Sequence, residues 1–494
     1  MAGRPKKLVL TVIDGVKTSM LDRAIAAGRA PAMARLKEEG VYVEDCVSVF
    51  PSVTPACAST ITTGVGVDEH LIPSMNWYHR GDDRYVAYGS SFSATRAFGI
   101  QRSLTDTIYN MNLAHLSRDV PTVFETLDDA DIRTAGTTYL IYRGRHRHAA
   151  ASERALGRLV TATLMPHAVY GPRELFYADL FASRRTGCPG SLGMPGTRDE
   201  QTGCIGAHLV EHDLFDFLLF SLPDNDSYSH RRGIHAQVES LALADRQLAR
   251  LMQAAGGADP FLADHAVIVV SDHSHSTVEA NIHLDGAFGE LRVLRPGDRQ
   301  PEGAELAVCP NFRSAMIYVL DPERREALCR EAASSARNIE GVDLVMTMMD
   351  GEASVWSQRG ELRFAPGEDF ADLRGRRWSA RGELAALGAR VRDGVFSSVD
   401  YPDALSRIWS ALACSTAGDV VLSAVPGWEF LDWGGQGHVG GGTHGSLHRN
   451  DSESMLLWCG TGPDSADARL QWSLRDVTPM VLEHFGLDEA GALH

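Results

Sequence analysis

Three short apolar runs, each leading into acidic residues, constrain this chain more than anything else in it. They cover residues 8–13 before Asp14, 217–222 before Asp224 and Asp226, and 266–270 before Ser271-Asp272-His273. Runs of five or six nearly all-apolar residues bounded by turn formers read as strands covered on both faces. Helical signals lie between them. Pro31 opens a predicted helix over 31–39, and Gly40 stands beyond its end. A long amphipathic helix is predicted over 235–254. Further strands are expected at 41–47, 419–425 and 454–458. The pattern predicts an α/β fold with a mostly parallel central sheet flanked by helices. Ligands of such sheets collect beyond the carboxyl ends of the strands, where these acids fall.

The rhythm changes from 286 to 395. Short strand-like pieces such as 314–319 alternate there with a helix near 322–335 and acidic, turn-rich segments. We read 1–285 and 396–494 as one discontinuous core and 286–395 as a smaller α+β insertion. Residues 141–205 read as irregular. They hold a basic stretch, Tyr142-Arg143-Gly144-Arg145-His146-Arg147-His148, and a Gly/Pro-rich loop at 187–196. The chain has no internal repeat and no low-complexity tract.

Composition narrows the partners. With 44% hydrophobic and 22% charged residues, disorder is excluded. The formal net charge of −17 argues against a nucleic-acid polymer or an anionic membrane as partner. It leaves a small phosphate-bearing substrate open, because a metal ion overrides the global charge locally. No stretch reaches the roughly 18 apolar residues of a membrane span. The apolar run behind Arg4-Pro5-Lys6-Lys7 is too short for a signal-peptide core, so a cytoplasmic location is expected. The eight cysteines form no CxxC pair, and mostly reduced, buried thiols are expected. Cys188 and Cys204 flank the Gly/Pro-rich loop, and their pairing stays open.

Several residues carry chemistry. Asp226 and His230 lie four apart, so they share one face of a helical turn and can hold one metal ion. Asp272-His273 follows a strand end. His444 sits among Gly440, Gly441, Gly442 and Gly445, which permit close backbone approach. Thr54 precedes Pro55, so its hydroxyl falls near a helix N-terminus. Each has an ordinary alternative: Asp14 and Thr54 as helix caps, His444 as a turn residue. Together they supply enough carboxylates and imidazoles for two metal ions beside a hydroxyl.

The segments Val12-Ile13-Asp14-Gly15, Phe50-Pro51-Ser52-Val53-Thr54, 226–230 with Gly233, Ser271-Asp272-His273-Ser274 and Gly442-Thr443-His444-Gly445 resemble the alkaline phosphatase superfamily. The resemblance is closer to its nucleotide pyrophosphatase/phosphodiesterase branch, and their order and wide spacing span nearly the whole chain. It implies two divalent ions, most commonly Zn2+, with Mn2+ as the alternative. Asp14, Thr54, Asp272 and His273 would hold one ion; Asp226, His230 and His444 would hold the other. Thr54 would be the nucleophile, forming a phosphothreonine. Asn76 would hydrogen-bond a phosphoryl oxygen.

The implied reaction is hydrolysis of a small phosphodiester or nucleotide pyrophosphate. The alternatives are a phosphomonoesterase of the same superfamily, or a sulfatase/phosphonate hydrolase-like enzyme. Thr54 with Asn76 favours a diester, and Thr54-Pro55-Ala56-Cys57 lacks the C/S-x-P-x-R motif common in sulfatases. The sequence departs from the family pattern in offering both Asp224 and Asp226, of which the spacing to His230 selects Asp226. It also has Ser274 where many relatives have Gly. Trp77 and Tyr78 are either a stacking platform or buried aromatics. The 142–148 stretch is either a second phosphate contact or a solvated face. His438, His448, Asp432 and Trp433 are rim candidates. The oligomeric state stays open.

Overall fold

The computed structural model describes residues 5–89, 91–150, 167–191, 193–297 and 303–488. Arg4 of the basic run and residues 151–166 of the stretch read as irregular lie outside the described residues.

The first apolar run is the strand Lys7–Ile13, buried along nearly its whole length. Its alternate side chains explain why the run is apolar throughout. Leu8, Leu10 and Val12 belong to one buried cluster, with Cys57, Ala58 and Ile61, while Val9 and Ile13 belong to another, with Met33, Leu36, Leu248 and Leu251. Both sheet faces are therefore covered, and each fully buried Leu, Ile or Val contributes about 1.5–3 kcal/mol.

This strand lies within an eight-stranded sheet. The spatial order is Val41–Val47, Glu453–Cys459, His265–Val270, Lys7–Ile13, Phe217–Leu222, Thr134–Gly136, Glu174–Tyr177 and Phe181–Ala182. The five strands from His265–Val270 to Glu174–Tyr177 run parallel, and Glu453–Cys459 and Phe181–Ala182 run antiparallel to their neighbours. The expected mostly parallel sheet is thus present. Its register aligns Ile13 with Leu222 and Val12 with Val270, so three adjacent strands end at one level.

A second, largely antiparallel sheet has ten strands, from Val293–Leu294 to Val395–Ser398, and takes one of its central strands from Val420–Ala424. That strand pairs with both Ser314–Val319 and Val342–Met349. A unit defined by this sheet therefore runs past the limit of 395 read from the sequence. Strand periodicity says that 419–425 pairs, but not with which sheet. A small third sheet joins Gly427–Phe430, Ser276–Ile282 and Gly442–Thr443, and so ties residues following His275 to residues preceding His444.

The helices Pro31–Glu39 and Gln237–Ala254 fall where periodicity places them, the latter after a 3-10 turn at Ile234–Ala236. The helix Arg198–Glu211 falls in part within the stretch read as irregular. Gly203 and Gly206 weaken its helical signal. A Cβ on Gly206 would stand 2.6 Å from Phe220 Cε2, so the glycine exists to bring helix and strand together. Cys188 and Cys204 are bonded, with Cα atoms 5.8 Å apart, joining the Gly/Pro-rich loop to this helix. The other six cysteines are free and buried. Among the described residues, no helix is long and apolar enough to cross a membrane.

Candidate active site

Each chemical residue is delivered by an element end. Asp14 follows Lys7–Ile13, Asp272 and His273 follow His265–Val270, and Asp226 lies in the first turn of the helix Asp224–Arg232, directly after Phe217–Leu222. Thr54 opens the buried helix Thr54–Thr63, with Pro55 next to it. His444 directly follows Gly442–Thr443.

The first group gathers around one ring nitrogen. His273 Nε2 lies 3.2 Å from Thr54 Oγ1, 3.4 Å from Asp272 Oδ2 and 3.5 Å from Asp14 Oδ1. Gly15 N and His273 N both donate to Asp272 Oδ1, at 3.1 and 3.0 Å, which fixes that carboxylate. The second group gathers on Asp226 Oδ1, at 3.3 Å from His230 Nε2, 2.9 Å from His275 Nε2 and 3.5 Å from His444 Nε2. The tautomers of two rings follow from their partners. His444 Nδ1 donates to Ser52 O at 2.8 Å and His273 Nδ1 to Ser274 O at 3.1 Å, leaving each Nε2 with its lone pair toward the cluster.

Burial shapes the charges. It raises Asp14 well above the usual carboxylate range, and the negative charges of Asp272 and Asp226 add to the shift. Burial likewise raises Asp272. It pushes His275 down to about 4 and His444 well below the usual imidazole range. Asp226 is the exception. Burial opposes its ionisation, but His230 and His275 outweigh it and hold the carboxylate well below its usual range.

These residues fit divalent cations. Asp14 Oδ1 is buried and accepts no hydrogen bond. Mutually repelling carboxylates beside imidazoles form a donor set that a divalent ion would relieve. The ligand atoms of Asp226, His230, His275 and His444 lie within 4.8 Å of one another, as do those of Asp14, Asp226 and His273.

Asp224 is committed elsewhere. It accepts from Gly196 N, Arg198 Nε and Asp199 N, at 2.8, 2.8 and 3.1 Å, so of the two acids Asp226 reaches the imidazoles. Asn76 is buried at the start of Asn76–His79, with its Nδ2 donating to Pro310 O at 3.1 Å. It connects to the cluster through the 310–313 segment, where Arg313 N donates to His444 O at 3.0 Å.

Other candidates serve the structure. Trp77 and Tyr78 are buried, and Trp77 Nε1 donates to Tyr88 Oη at 3.2 Å. The basic stretch is largely spent internally: Arg143 on Glu125, Arg145 on Glu125 and Asp129, His148 on Pro172 O. Trp433 donates to Val308 O, Asp432 accepts from Ser91, and His448 Nδ1 accepts from Asn450 N. His438 does border the site, with its ring 4.3 Å from that of His230 and its Nδ1 held by the buried Glu429 at 2.9 Å.

Sequence reasoning passes over three contributors. His275 stands two residues beyond His273, and that spacing on extended chain is a signal for a shared side. Phe312, at a φ of 58°, packs its ring against His230 and His444. The fully buried pair Arg313–Asp451 has no local signal at all. Asp451 accepts from Ser276 Oγ and Ser446 N, and its carbonyl accepts from Ser274 N, so it braces both imidazole-bearing loops.

Fold and site together define a metal-dependent phosphoester hydrolase of the alkaline phosphatase superfamily. The family model for type I phosphodiesterase / nucleotide pyrophosphatase matches residues 8–447, and the chain belongs to that family. Murine ectonucleotide pyrophosphatase / phosphodiesterase 5 shares the fold at a TM-score of 0.55 and 12% identity, over 98% of this chain and 96% of that one. Its inactive variant, solved with AMP, gives 0.56 at 11% identity, over the same shares of the two chains. Phosphonoacetate hydrolase from Sinorhizobium meliloti 1021, solved with phosphonoacetate, gives 0.55 at 17% identity, over 96% of this chain and 94% of that one. No curated protein matches the sequence.

Proposed function

We propose that this chain hydrolyses a small phosphodiester or nucleotide pyrophosphate through a covalent phosphothreonine on Thr54. The observation that carries the reading is the place of Thr54 Oγ1: at the start of a buried ten-residue helix and 3.2 Å from His273 Nε2.

Asp14, Thr54, Asp272 and His273 would hold one divalent ion, and Asp226, His230 and His444 the other; zinc suits the imidazole-rich set. When bound, such ions supply Lewis acidity that favours an alkoxide at Thr54 and neutralises charge on the attacking and leaving oxygens. Thr54 Oγ attacks phosphorus in line, the bond to the leaving oxygen breaks, and a phosphothreonine forms. Water then attacks the same phosphorus, the bond to Thr54 Oγ breaks, and phosphate monoester leaves. The helix N-terminus favours the phosphoryl charge throughout. Asn76 would hydrogen-bond a phosphoryl oxygen.

Thr54→Ala is expected to lower hydrolysis of bis(p-nitrophenyl) phosphate by about 1000-fold or more. Bound zinc should persist near two ions per chain. Undiminished turnover sinks the nucleophile assignment. A preference for p-nitrophenyl phosphate, or for phosphonoacetate, over the diester moves the enzyme to one of the alternative substrate classes.

A further inference from the structure

We propose that His275 is a fourth protein ligand of the second ion site, so that Asp226, His230, His275 and His444 hold one cation between them. The inference rests on the reading above that this site holds a divalent ion, and adds a ligand which the resemblance does not supply.

Three observations carry it. First, His275 is fully buried, and its Nε2 lies 2.9 Å from Asp226 Oδ1, closer than either His230 or His444 comes. Its ring centroid is 5.0 Å from that of His230 and 5.1 Å from that of His444, so three imidazoles surround one carboxylate. Second, His275 Nδ1 is buried with no hydrogen-bond partner. The polar contact of this ring therefore runs through Nε2 alone, toward Asp226.

Third, the ring occupies space kept by glycines. A Cβ on Gly15 would stand 2.6 Å from His275 Nε2, and one on Gly442 would stand 3.3 Å from Nδ1. Gly15 has a φ of +68°, so backbone and space both select glycine there. His273 and His275 stand two residues apart with ring centroids 5.7 Å from each other, and each serves a different group. His273 Nε2 faces Thr54, Asp14 and Asp272, whereas His275 Nε2 faces Asp226. Three imidazoles and one carboxylate are a nitrogen-rich set that favours zinc over magnesium or manganese.

A crystal structure of the zinc-loaded wild-type protein tests this directly, with zinc located by anomalous scattering. His275 Nε2 is expected at about 2.0–2.1 Å from the second zinc. If His230 and His444 ligate that zinc while His275 Nε2 stays on Asp226, the inference fails and the two-ion reading stands. If none of the four touches zinc, the underlying reading fails. In solution, competition with a chromophoric chelator measures the same point. His275→Gln should weaken the second zinc by more than about 100-fold, since losing a group that only orients a ligand costs roughly 10–100-fold. A loss within or below that smaller range overturns the proposal.

Discussion

At the scale of single residues, burial has a different consequence for carboxylates that a cation could offset and for those that none could reach. Asp14 and Asp272 are buried where a cation can repay them. Asp403 is buried away from that cluster, with an Oδ1 that no hydrogen bond satisfies and a pKa raised by burial to about 6. Its folded-state value exceeds the unfolded one. Its contribution is therefore intact below about pH 4 and is lost as pH rises through about 6. Asn mimics the protonated form and tolerates the φ of 49° found there. Asp403→Asn should match wild type at pH 4 and exceed it at pH 7 by roughly 1–3 kcal/mol. Urea unfolding at the two pH values reads the difference, and equal stability at pH 7 contradicts the account. The site at this scale was partly legible. Asp14, Thr54, Asp226, His230, Asp272, His273 and His444 follow strand ends, a helix start or a glycine-rich turn. Phe312 was not, because nothing local marks a hairpin turn that covers imidazoles from distant segments.

At the scale of elements, strands and capped helices read clearly and close-packed helices did not. The strand Phe217–Leu222 announces itself by apolarity, whereas the helix Arg198–Glu211 pressed on it carries two glycines. Propensity counts those glycines against a helix, yet packing requires them. A methyl at Gly206 meets Phe220 Cε2 at 2.6 Å and Leu251 Cδ1 at 2.9 Å. Gly206→Ala, normally favourable in a helix, should instead cost about 1–3 kcal/mol through overpacking. A lowered urea midpoint with unchanged slope is the expected result, and a raised midpoint would show that helix and strand can separate cheaply.

At the scale of the whole molecule, the cluster is a knot between remote parts of the chain. Asp14, Asp226, His275 and His444 come from four segments that only the folded state assembles. A cation that binds this arrangement and not the unfolded chain stabilises by about 2.7 kcal/mol at 100 times its dissociation constant. Chelation should therefore lower the melting temperature, and zinc should restore it. Asp226→Ala, which removes the carboxylate at the centre of the second group, should shrink that response. A chelator-insensitive melting temperature in wild type would count against resident metal. The second sheet takes part in the same knot, since Arg313 on its hairpin turn pairs with Asp451 beneath both imidazole-bearing loops. Breaking a fully buried pair of this kind costs about 3–5 kcal/mol, so the sheet and the site are energetically one body.

The sequence by itself determined the α/β core, the strand ends that carry the acids and the residue types able to hold metal. These depend on short-range pattern: an apolar run, the acid after it, a proline beside a threonine. Only the tertiary structure decided that Asp224 is held by Gly196 N, Arg198 Nε and Asp199 N, that Asp14 Oδ1 is buried without a hydrogen bond, and that Val420–Ala424 joins the second sheet. It also brought His275 to Asp226. Each of these depends on which distant segments share space, and that is set by close packing and by burial of charge across the whole chain.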